Sequence, residues 1–116
     1  MTVLIVDDDE DQLVIRGMLF RHNGFQTMEA PNVSVALQMA ESRKPSCALI
    51  DLCIPTEQDG LHLIREMKQL YPAMPVFVLT GREVDGGNAP ELRLVDGLFV
   101  KGSSIREVIS RLQGRQ

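Results

Sequence analysis

Residues 3–9 read Val3-Leu4-Ile5-Val6-Asp7-Asp8-Asp9, four apolar residues without interruption and then three carboxylates. A run this short, branched and unalternated suits a central strand covered on both faces. The acids mark where that strand ends. Three further runs share the pattern: Ala48-Leu49-Ile50, Val76-Phe77-Val78-Leu79 and Leu98-Phe99-Val100. A more mixed one, Phe25 to Met28, reads as an edge strand.

Between these runs apolar residues recur at helical spacing. Val33, Ala36, Leu37 and Ala40 follow i, i+3, i+4, i+7, as do Ile105, Val108, Ile109 and Leu112. Leu63, Met67, Leu70 and Tyr71 make a third stripe, and Leu13 to Leu19 a broader fourth, with Asn23-Gly24 suited to cap its end. Asn32 or Ser34 suits the start of the second helix, and Ser103 or Ser104 that of the last. Pro45, Pro72 and Pro75 fall where helices should end. Such alternation implies parallel strands joined by right-handed crossovers, hence an α/β three-layer sandwich. Glu83 to Pro90 breaks the pattern: Gly86, Gly87 and Pro90 predict a loop, with at most a short helix over 91–95.

The 116 residues allow one domain, 1–116, and 44% hydrophobic with 24% charged residues is ordinary for a globular chain. No apolar run approaches the roughly 20 residues that span a bilayer. Met1-Thr2 enters the first apolar run without a basic flank, so a cytoplasmic protein away from the membrane is expected. The net charge is −4 and the basic residues are scattered, which argues against direct nucleic acid binding. Cys47 and Cys53 match no CxxC or zinc framework and read as small buried hydrophobes in a reducing compartment. His22 and His62 are isolated and read as surface residues.

The chemistry lies just past the strands. The first run ends in Asp7-Asp8, the third strand in Asp51, the fourth in Thr80 and the fifth in Lys101. In an open parallel sheet these ends share the carboxyl edge, where α/β sheets bind ligands. Taken singly, each has a plain reading. Glu10 and Asp11 complement a helix dipole, Asp51 is a turn residue, Thr80 a strand-end hydroxyl and Lys101 a surface lysine. Taken together they do not, because two carboxylates about 4 Å apart repel by roughly 4 kcal/mol at an effective dielectric near 20. One lysine cannot neutralise three of them. Oxygen donors around an open cleft favour Mg²⁺, held by Asp8 and Asp51. Asp51 would then be a nucleophile on phosphorus, Lys101 a point charge on a phosphate oxygen, and Thr80 a hydrogen-bond donor that carries its loop toward the phosphate.

At these residues the chain resembles the receiver domain of bacterial two-component response regulators. The motifs are Leu4 to Glu10, Ala48 to Pro55 with Asp59-Gly60-Leu61, Val76 to Gly81, and Phe99-Val100-Lys101, in the family's order over essentially the whole chain. The resemblance implies a flavodoxin-like five-stranded parallel sheet of order 2-1-3-4-5. It implies Asp51 as phosphoacceptor, supplied by a histidine kinase or phosphotransfer protein, and a switch surface read by a downstream effector protein or domain. Phosphorylation-dependent homodimerisation is a further expectation. By resemblance Asp8 and Asp51 ligate Mg²⁺ directly, Asp7 acts through water, and the main-chain carbonyl of Cys53 is another ligand. Cys53 and Arg82 match the two variable positions beside the phosphate. Three features depart from the family: Gly102 follows Lys101 where proline is usual, Leu98 occupies the aromatic switch position, and Pro55 to Asp59 is one residue longer than the commonest spacing.

Two other functions compete with a phosphorylation switch that is not itself an enzyme. One is a receiver-like interaction module working independently of phosphorylation. The other is a small Asp-nucleophile phosphatase of haloacid-dehalogenase type, which Asp7-Asp8-Asp9 permits but Asp11 and the missing cap region disfavour. A calcium loop fails, with Gln12 and Met18 where glycine and glutamate belong. The chain ends soon after the last helix, leaving open a stand-alone regulator or the N-terminal part of a larger protein.

Overall fold

The computed structural model describes residues 1–81, 89–100 and 105–114. Five strands, β1 (Thr2–Val6), β2 (Gln26–Ala30), β3 (Cys47–Asp51), β4 (Val76–Thr80) and β5 (Gly97–Val100), form one parallel sheet of order β2-β1-β3-β4-β5. The helices are α1 (Glu10–His22), α2 (Val33–Arg43), α3 (Glu57–Leu70) and α4 (Ile105–Gln113), with a short 3-10 turn at Pro90–Arg93. This is the expected three-layer α/β arrangement, with β2 at one edge. Where a regular helix would precede β5, the described residues hold only that 3-10 turn, in keeping with the glycine- and proline-rich sequence. Residues 83–88 of the expected loop, and Ser103 and Ser104, lie outside the described residues.

Strand alternation divides the core in two. Leu4, Val6, Ile50 and Val78 face α2 and α3, where they meet Ala36, Ala40, Ile64 and Met67. Ile5, Leu49, Phe77 and Leu79 face α1 and α4, against Leu13, Phe20, Val108 and Leu112. The central strands β1, β3 and β4 are buried on both faces, which is why they read as continuous apolar runs.

Local chemistry fixes the helix ends. Asn32 caps α2, its side chain accepting from Val35 N. Past α1, Gly24 at φ 91° donates to Arg21 O and Phe25 N to Phe20 O, the paired bonds of a Schellman motif. The accompanying apolar contact is Phe25 edge-on to Phe20, with ring centroids 5.3 Å apart. Thr56 and Asp59 form a capping box at α3: Thr56 Oγ1 accepts from Asp59 N, and Asp59 Oδ2 accepts from Thr56 N. Replacing Thr56 by alanine should cost about 1 kcal/mol. That would appear as a lower urea midpoint with an unchanged slope.

Three expectations fail. Cys53 is exposed, because it lies beyond β3 on the way to α3; only Cys47 is buried. The α3 stripe runs through Gly60, Leu63, Ile64 and Met67, leaving Leu70 59% exposed and Tyr71 partly covered. On α1 the broad apolar stretch splits across two faces: Leu13, Gly17 and Phe20 are buried, while Val14, Ile15 and Met18 face solvent. His22 and His62 are on the surface as expected.

Candidate functional site

The carboxyl edge of the sheet is built from the ends of β1, β3 and β4. Asp7 follows β1 directly and continues its pairing, donating its N–H to Ala30 O at 3.1 Å. It is completely buried. Its Oδ1 accepts from Asp9 N at 2.9 Å, folding the chain into the start of α1. Asp9 is the N-cap, its Oδ1 accepting from Asp11 N and Gln12 N. This gives Asp9 a capping role, while Glu10 and Asp11 fill the helix's first turn, where acids complement the dipole.

Asp51, the last residue of β3, is 3% exposed. Leu52 N donates to Leu79 O at 2.9 Å, so the chain stays pinned to β4 just beyond Asp51. Asp51 Oδ1 lies 3.3 Å from Cys53 N, which donates to it. Asp7, Asp8 and Asp51 each offer a carboxylate oxygen, and these atoms lie within 4.8 Å of one another. Asp7 and Asp51 are buried, and Asp8 opens to solvent. Three hard oxygen donors with one solvent-facing side match the donor set of Mg²⁺ or another hard divalent cation.

Thr80 ends β4 and is 3% exposed. In the register Asp51 pairs with Leu79, so Thr80 lies one step further along the neighbouring strand. Lys101 and Arg82 lie outside the described residues; Val100, the residue before Lys101, pairs with Thr80. Phe99 packs on the α1/α4 side, its ring 6.3 Å from that of Phe77 and 5.6 Å from the Arg111 guanidinium carbon. By strand alternation Leu98, 46% exposed, shares the opposite face with Thr80. Phe99, one residue past the position that Leu98 occupies, therefore faces away from the threonine side.

One residue at the site escaped the sequence reading. Arg16, on the buried face of α1, places Nη1 against Asp7 Oδ2. Its side chain is 9% exposed. A signal was present: Leu13, Arg16, Gly17 and Phe20 share a helical stripe, and an arginine on a buried stripe needs a carboxylate partner.

Among curated proteins, an NtrX-like response regulator of Rickettsia bellii is 35% identical over 80 residues, 68% of this chain and 17% of that protein. The alkaline phosphatase synthesis transcriptional regulatory protein PhoP of Bacillus subtilis is 27% identical over 112 residues, 96% of this chain and 46% of that protein. The chain thus spans less than half the length of either. Among solved structures, the response regulator TrrA of Thermotoga maritima, in complex with Mg²⁺ and BeF, superposes with a TM-score of 0.87. It is 18% identical, with 97% of this chain and 96% of that one covered, a likeness of fold. The match to the response regulator receiver domain runs from residue 3 to residue 113, and the chain belongs to that family of two-component signalling domains.

Proposed function

We propose that this chain is a single receiver domain, 1–116, that takes a phosphoryl group onto Asp51 and alters a partner-binding surface in response. The observation that carries this reading is the meeting of Asp7, Asp8 and Asp51 at the carboxyl edge, their oxygens within 4.8 Å. Asp8 and Asp51 would hold Mg²⁺ directly, with the main-chain carbonyl of Cys53, while Asp7 acts through a water. The cation, when bound, offsets charge on the transferring phosphoryl group. An Asp51 carboxylate oxygen attacks phosphorus in line with the leaving group. The new bond is C–O–P, and the bond that breaks joins phosphorus to an imidazole nitrogen of the donor, which keeps the electron pair. Thr80 donates a hydrogen bond to one phosphate oxygen, and Lys101 holds another. The donor is a histidine kinase or a phosphotransfer protein, and the reader is a downstream effector or a second phosphorylated copy.

The rival reading, an interaction module indifferent to phosphorylation, draws on Phe99 facing away from Thr80. The complete acidic set favours the switch. Acetyl phosphate with Mg²⁺ separates the two: the protein should gain the mass of one phosphoryl group, and EDTA should abolish the gain. A parent protein that gains nothing overturns the switch.

The same geometry makes a stability prediction. Three clustered carboxylates strain the metal-free protein, so Asp51→Asn should raise its stability by about 1 kcal/mol, a fraction of the full pairwise repulsion. Mg²⁺ at a hundredfold excess over its Kd should stabilise the parent by about 2.7 kcal/mol and the variant by much less. Identical melting curves with and without EDTA would contradict the acidic-pocket reading.

A further inference from the structure

Arg16 puts a positive charge beside the three clustered carboxylates. Its side chain is nine-tenths buried and its Nη1 meets Asp7 Oδ2, while Asp7 Oδ1 accepts from Asp9 N. Both oxygens of Asp7 are therefore engaged within the protein, and Asp7 is itself wholly buried. Counted by formal charge, the three carboxylates carry −3 and Arg16 brings them to −2, before any contribution from Lys101.

We propose that Arg16 is a positioning residue that holds Asp7 in place and sets the affinity of the acidic site for its divalent cation. The inference rests on the cation-assisted reading of the site given above. Two effects act together. The guanidinium repels the incoming cation through a poorly screened interior, which weakens binding. It also keeps Asp7 oriented without metal, so the site is assembled before the cation arrives. A site lacking this charge would bind its cation more tightly and change more on losing it.

The test is Mg²⁺ affinity, measured by calorimetric titration of the full chain. Arg16→Gln keeps a hydrogen-bond donor for Asp7 but removes the charge, and Arg16→Lys keeps the charge. The glutamine variant should bind Mg²⁺ about tenfold more tightly, equivalent to about 1.4 kcal/mol, and the lysine variant should stay within about twofold of the parent. A role confined to packing α1 onto β1 would lower stability without this gain in affinity. If Arg16→Gln does not fold, the change is made in an Asp7→Asn background, where the carboxylate that Arg16 pairs with is gone. There too the glutamine must tighten Mg²⁺ binding relative to Asp7→Asn alone. Glutamine binding no tighter than parent, or lysine shifting as far as glutamine, overturns the inference while leaving the phosphoacceptor reading intact. Mg²⁺ binding to neither parent nor variant overturns both.

Discussion

Asp51→Asn should take up no phosphoryl group from acetyl phosphate under conditions that load the parent protein. The expected effect is complete loss, because the amide cannot form the acyl phosphate and its oxygen is a far weaker nucleophile than a carboxylate. Substituting a neighbouring carboxylate should differ in degree. Asp8→Asn leaves the acceptor but removes a proposed cation ligand, so its uptake should slow and then recover in part as Mg²⁺ is raised. Intact-mass time courses of the three proteins distinguish these behaviours. Uptake by Asp51→Asn equal to that of the parent would mean phosphorus lands elsewhere. The variant is also expected to fold, since it relieves charge repulsion in the buried pocket, so its failure cannot be put down to unfolding. A melting curve on the same sample checks that.

The largest expected loss of stability comes from Gly60→Ala. A Cβ at this position would lie 1.8 Å from the carbonyl oxygen of Leu52 and 2.6 Å from its carbon. Both atoms are main chain, so no side-chain rotation relieves the clash. The helix α3 must retreat from the turn that carries Leu52 and Cys53, undoing the packing of Leu63, Ile64 and Met67 beneath it. Overpacking against flexible side chains costs typically 1–3 kcal/mol, and a backbone clash in the first turn of a helix should reach about 3 kcal/mol or more. Because Leu52 adjoins Asp51 and is tied to β4 through Leu79 O, the same retreat should also slow phosphoryl uptake in whatever fraction stays folded. Urea titration checks the first effect and the acetyl phosphate time course the second. A shift below about 0.5 kcal/mol would place Gly60 among ordinary surface positions.

Much of this fold was legible because its strands are central. Residues buried on both faces must be apolar throughout, and β1, β3 and β4 announce themselves as short unbroken runs. The ends of those runs gave the acidic site directly, since parallel strands put their termini on one edge. Cap residues were legible wherever one side chain decides the matter, as at Asn32 and at Gly24 with its positive φ. What periodicity could not resolve was which face of an apolar helix turns inward. On α1 both faces carry apolar residues, and the deciding contacts are a helix packed against β2 and the pairing of Arg16 with Asp7. Both depend on tertiary neighbours. Leu70 was misjudged because α3 outruns its support: the helix meets the sheet through its first three turns and its last leucine lies beyond that contact. Cys53 illustrates a related limit. Its small size suggested burial, but its position was set by the turn that follows Asp51.

Arg16 is the instructive omission. Besides Lys101, the acids have a second cationic residue nearby: Arg16 of α1, paired with Asp7. Its presence lowers the charge that a bound cation would balance at the acidic cluster.

The most direct test of the account is to locate the phosphoryl group. Protein loaded with acetyl phosphate and Mg²⁺ is reduced with borohydride, which converts a phosphorylated aspartate to homoserine, and then digested and mapped by tandem mass spectrometry. Phosphorylation of Asp51 gives homoserine at position 51, with aspartate retained at positions 7 and 8. Reduction at Asp7 or Asp8, or phosphate recovered on a histidine with Asp51 unaltered, would contradict it.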